Sequence, residues 1–195
     1  MKALNTLPDG YNQIYEIDLQ KNKKMSLLVN VIAILIAVAM AVPMHFIVPF
    51  TTVYGVDETT TQFNMRLVIF MVAIIGYMVL HELVHGITMK LCGTKKVKYG
   101  FTGMYAFAGS DDYYDKKSYI TIALAPIVVW GVVLAVLNCL VPLHWFWIVY
   151  FVQIVNISGA AGDLFVTVKF SKMPSDILVR DHGVGMKVYS KNTEH

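Results

Sequence analysis

Charged residues are scarce in this sequence: 15% of 195 positions, against 56% that are hydrophobic. A soluble globular domain carries about 25% charged residues, so the ordinary water-surrounded domain is excluded. Cysteine is nearly absent as well. Cys92 and Cys139 lie near opposite ends of different apolar segments, which excludes a disulfide framework or a closely spaced thiolate metal site and leaves them as reduced packing residues. No Gly-, Ser- or Gln-rich tract and no internal repeat is present, and one domain is the natural count at this length. No cleavable signal is expected, because the first apolar run is too long for the apolar part of a signal peptide.

What is present is four long apolar runs: Met25 to Phe50, about Arg66 to Leu91, about Ser118 to Val141, and Leu143 to Phe170. Each exceeds the roughly 20 residues that a helix needs to cross a bilayer. None shows the alternation of barrel strands, so helices are the remaining solution to backbone pairing in lipid. The basic residues cluster before the first run, between the second and third, and after the fourth, with only Arg66 on the opposite side. That asymmetry places both termini in the cytoplasm of an integral membrane protein, most simply in a bacterial plasma membrane. In "VKYGFTGMYAFAG", Tyr99, Phe101, Gly103, Tyr105 and Phe107 recur every second residue, which is strand periodicity. The expected fold is an all-α membrane protein with four transmembrane helices and a short cytoplasmic β-hairpin between the second and third. Residues 1–24 form a cytoplasmic segment, 25–170 the four-helix domain, and 171–195 a cytoplasmic tail with no assigned task.

Within the second run stands His81-Glu82-Leu83-Val84-His85, a match to H-E-x-x-H. On a helix, positions i and i+4 share a face, so both imidazoles can bind one Zn²⁺ while the glutamate reaches the water on it. Ionisable groups are costly in hydrocarbon, which favours a metal role over a chance match of core histidines. A catalytic zinc needs a third protein ligand. A metzincin continuation is excluded, since Thr88 and Leu91 stand where Gly and His would be required; the only glutamate after His85 is Glu194, at the far end. Asp163 is the one carboxylate inside the fourth run. It precedes Lys169 by six residues, as His85 precedes Lys90 by five, so at about 1.5 Å per residue both lie at similar depth in helices running the same way. Gln153, Asn156, Ala160, Asp163 and Thr167 fall on one face. Asn156 is a candidate catalytic residue, as a donor to an oxyanion or to substrate backbone, with a structural role as the alternative. Glu82 is the expected general base, taking a proton from water and passing it to the leaving amine.

These features resemble the site-2 protease superfamily of intramembrane zinc metalloproteases. They are still more similar to a family of short bacterial zincin membrane peptidases, long grouped as a domain of unknown function, in which H-E-x-x-H is paired with a distal G-D, here Gly162-Asp163. The likeness covers most of residues 25–170. It implies that His81, His85 and Asp163 are zinc ligands and that Glu82 is the base. It also implies cleavage of membrane-anchored peptides or proteins near the cytoplasmic face, with substrate added to the edge of the 98–108 strand at Tyr99, Phe101 and Tyr105. The sequence departs from site-2 proteases in having no proline between Asn156 and Asp163 and no PDZ-like insertion. The expected partners are the lipid bilayer and such a substrate, with no nucleic acid. The alternative is a non-proteolytic membrane scaffold with a structural zinc site; a metal transporter is disfavoured because ligands do not repeat at successive depths.

Overall fold

A computed structural model describes residues 3–18, 21–55, 58–103, 106–183 and 185–191. The apolar runs form helices α1 (Lys23–Ile47), α2 (Thr60–Leu91), α3 (Lys116–Leu140), α4 (Leu143–Gly159) and α5 (Ala161–Ser171). With α4 and α5 taken together, four helices among the described residues are long and apolar enough to cross a membrane. At 32 residues α2 is about 48 Å long, well beyond the roughly 30 Å of a hydrocarbon core. The fourth run is two helices rather than one. The break falls in Gly159-Ala160-Ala161-Gly162, where glycine's backbone freedom makes helix continuation costly. Asp163 therefore stands in the first turn of α5, where amide dipoles suit a carboxylate.

The all-α expectation needs correction. Strands β1 (Asn12–Asp18), β4 (Tyr113–Asp115), β5 (Leu178–Asp181) and β6 (Gly185–Ser190) form a four-stranded antiparallel sheet in the order β1-β6-β5-β4. The N-terminal segment and the tail are thus structured parts of one element. The expected hairpin is present separately, as β2 (Lys98–Phe101) paired antiparallel with β3 (Ala106–Gly109).

The chain divides into two compact units. One comprises Met1–Val29, Glu82–Pro126 and Gly162–His195; the other comprises Asn30–His81 and Ile127–Ala161. In the first, each strand of the larger sheet contributes an apolar side chain (Ile17, Tyr114, Val179, Val188) to a core shared with Met89, Tyr119, Ile122, Val166 and Phe170. In the second, Tyr77, Leu134 and Val152 form the core, with Phe70, Trp130 and Val149 packed against them. Arg66 closes one end of this unit, donating to the carbonyls of His144 at 2.7 Å and Val53 at 2.8 Å and pairing with Glu58. His45 Nδ1 accepts the Phe50 N–H at 3.1 Å, which accounts for that histidine as a local hydrogen-bond acceptor.

Candidate metal centre

His81, Glu82 and His85 sit on uninterrupted α2. The reason His85 is held where it is begins in α3. Pro126 lies inside that helix and has no N–H, so the carbonyl four residues earlier, that of Ile122, loses its helical donor. His85 supplies the substitute: its Nδ1 lies 2.9 Å from the Ile122 oxygen. A carbonyl only accepts, so Nδ1 carries a proton, and in the neutral ring Nε2 is the nitrogen left with a lone pair. That Nε2 lies 3.6 Å from Asp163 Oδ2. His85 is buried and Asp163 half-buried.

His81 has a different support. Its Nδ1 lies 2.8 Å from the Tyr77 hydroxyl, which donates to Asn156 Oδ1 at 2.9 Å. Asn156 Nδ2 donates in turn to the Ile127 carbonyl at 3.2 Å. Asn156 is fully buried, and its amide oxygen and nitrogen are both engaged within the protein.

One ligand atom from each of His81, His85 and Asp163 lies within 4.8 Å of the other two. Two imidazoles and a carboxylate are a donor set that zinc takes at about 2.0–2.2 Å. Tetrahedral ligands at that radius are separated by about 3.3–3.6 Å, and the 3.6 Å between His85 and Asp163 agrees with it. The residues fit the ion. Glu82 is half-buried, directly after the first histidine.

Of the substrate-binding candidates, Tyr99 and Phe101 lie on β2 and are exposed, while Tyr105 lies outside the described residues. Tyr99 packs over Gly86, the residue after His85, so closely that a Cβ there would overlap its hydroxyl. The missing side chain at Gly86 is what lets the hairpin rest on α2.

Sequence reasoning missed three contributors: Tyr77, the Ile122 carbonyl, and Asp181. A tyrosine in an apolar helix carries no local mark of function, and the carbonyl could be traced only through Pro126. Asp181, set aside as part of the tail, is buried at the end of β5. It accepts the Tyr119 hydroxyl at 2.5 Å and the Gly183 N–H at 2.7 Å. Burial pushes its carboxyl above the usual range, those hydrogen bonds oppose the shift, and the charges of His85 and Asp163 act on it from nearby.

Comparison with known proteins gives two matches. A family described as "Putative zincin peptidase" matches residues 74–178, a span containing all of His81, Glu82, His85 and Asp163. A Pyrococcus woesei protein, "Uncharacterized 24.7 kDa protein in gap 5'region", is 35% identical over 114 residues, 56% of this chain. The match covers 49% of that relative's length, so the chain spans about half of it. No solved structure matches.

Proposed function

The chain belongs to the family described as "Putative zincin peptidase" and matched over residues 74–178, and from that premise we propose that it is an integral-membrane zinc endopeptidase of the site-2 protease type. Its substrates are membrane-associated peptides or proteins, cut near the cytoplasmic face. The observation that carries this reading is the gathering of His81, His85 and Asp163 ligand atoms within 4.8 Å, with Glu82 beside them on α2.

A zinc ion held by these three side chains supplies an acidified water and an electrophile for the scissile carbonyl. The protein's own residues do the rest. His81 and His85 would each offer Nε2 to the ion, with Nδ1 held by a hydrogen bond, to the Tyr77 hydroxyl and the Ile122 carbonyl respectively. Glu82 takes the proton of the attacking water and returns it to the leaving amine, a role that calls for a carboxylate rather than an amide at this position. Strand β2 is paired to β3 on one side, and its Lys98, Tyr99 and Phe101 are exposed, so an extended substrate can add to its other edge with Tyr99 and Phe101 contacting side chains. The exposed large side chains along α1, including Leu27, Ile34, Leu35, Val38, Phe46 and Ile47, support placement in lipid, since monomeric soluble proteins rarely expose contiguous apolar areas of this kind. Clustering of lysines at one set of helix ends supports cytoplasmic termini.

The test is Glu82→Gln, assayed in detergent against a library of membrane-anchored peptides, with bound zinc measured on the same samples. Cleavage is expected to fall at least 10²-fold with zinc content unchanged. Wild-type cleavage rates in Glu82→Gln would remove the proposed base. A wild type that holds zinc and cuts nothing would favour a structural metal site.

A further inference from the structure

We propose that Tyr77 and Asn156 form a positioning relay that fixes the tautomer and orientation of His81, and that they thereby set the metal affinity of the site. This rests on the zinc reading above.

The direction of every hydrogen bond in the relay follows from its far end. The Ile127 carbonyl can only accept, so the group of Asn156 that faces it at 3.2 Å is the amide nitrogen. That choice fixes the amide flip and turns Oδ1 toward Tyr77. An amide oxygen also only accepts, so the single Tyr77 hydrogen goes to Asn156 at 2.9 Å. Tyr77 then meets His81 Nδ1 at 2.8 Å with an oxygen lone pair, and His81 must donate. The proton is therefore held on Nδ1, and Nε2 carries the lone pair. The opposite arrangement, with Tyr77 donating to His81, would set two acceptor oxygens against each other at 2.9 Å in a buried place, where an unmade hydrogen bond is costly.

The placement of the relay fits this task. Tyr77 precedes His81 by one helical turn on α2, so both side chains share a face. The Tyr77 ring is buried among Leu134 and Val152 and meets Trp130 edge to face at 6.3 Å, which locks the hydroxyl's position. Asn156 is 0% exposed, and a polar side chain so deep is costly unless its hydrogen bonds are made. The Asn156 oxygen and one amide hydrogen are committed to Tyr77 and Ile127, which suits Asn156 to a positioning role. Partners on the second nitrogen of a metal-bound histidine typically change metal affinity by 10–100-fold when removed.

The experiment is zinc affinity by chelator competition on full-length, detergent-solubilised protein, comparing wild type with Tyr77→Phe, Asn156→Leu, the double variant and Tyr150→Phe. The last is a control for loss of a half-buried, hydrogen-bonded tyrosine hydroxyl, because Tyr150 donates to the Met40 carbonyl at 3.2 Å, away from the relay. Tyr77→Phe is expected to weaken zinc binding about 10–100-fold, Asn156→Leu to weaken it in the same direction, and the double variant to lose little more than Tyr77→Phe, since the two act as a unit. Tyr150→Phe is expected to bind zinc as wild type does. Should Tyr77→Phe fail to fold, the drop in Asn156→Leu carries the test. Wild-type zinc affinity in either folded relay variant, or an equal loss in Tyr150→Phe, would overturn the relay alone. A wild type that binds no zinc would overturn the metal reading and the relay with it.

Discussion

At the scale of residues, the account turns on which polar groups are buried and what each one touches. Asp181 gives a prediction that needs no metal. Burial raises its carboxyl above the ordinary range in the folded protein. As pH climbs through the usual carboxylate range the unfolded chain releases this proton while the folded chain keeps it. Asp181 therefore withdraws stability from that range upward, until it ionises in the fold as well. Asp181→Asn removes the titration. Its amide oxygen can still accept from Gly183, its nitrogen can donate to Tyr119, and the Tyr119 hydrogen can turn to Met186 Sδ, 3.0 Å away. Unfolding midpoints of metal-free protein at pH 5 and pH 8 should drop less for Asp181→Asn than for wild type; parallel drops would remove the charged-burial argument. The sequence displayed some of these residues and hid others. His81, Glu82 and His85 announce themselves because helical spacing alone puts two imidazoles on one face with a carboxylate beside them, and Asp163 because a carboxylate in an apolar run stands out. Asn156 stands out for the same reason, but its task depends on Tyr77 and Ile127, partners that only the fold brings to it.

At the scale of elements, the two candidate ligand histidines draw on α3 at neighbouring points. His85 uses the Ile122 carbonyl directly, and His81 reaches the Ile127 carbonyl through Tyr77 and Asn156. Pro126 stands between these carbonyls and is responsible for the first being open. Replacing Pro126 by alanine restores an N–H that competes with His85 for Ile122. The helix itself should become more stable, since proline costs about 3 kcal/mol in a helix interior, while zinc affinity falls about tenfold or more through loss of the His85 orientation. Competition titration of Pro126→Ala checks this, and unchanged affinity would contradict it. Long helices were legible because an apolar run of 25 residues is a local signal. The four-stranded sheet was not. Its strands are three to seven residues long, and β1 pairs with β6 from the other end of the chain. Strands of that kind take their stability from cross-strand contacts and shared burial rather than from intrinsic preference.

At the scale of the whole molecule, the proposed function asks lipid-compatible helices and a water-dependent reaction to coexist in one chain. Among the described residues four helices are long and apolar enough to cross a membrane, and α2 outlasts a hydrocarbon core by several turns. The same helix that carries exposed Val68, Val72 and Ile75 along its length therefore carries His81, Glu82 and His85 toward its far end. In the proposed site a divalent ion would satisfy His81, His85 and Asp163, a reason for so apolar a chain to keep two histidines and a carboxylate together. Zinc stoichiometry on detergent-purified protein, wild type against Asp163→Ala at the same free zinc, tests that claim most directly. About one zinc per chain in wild type and little in Asp163→Ala is the expected result; equal, high occupancy in both would show that Asp163 is not a ligand and that the site is not the one described.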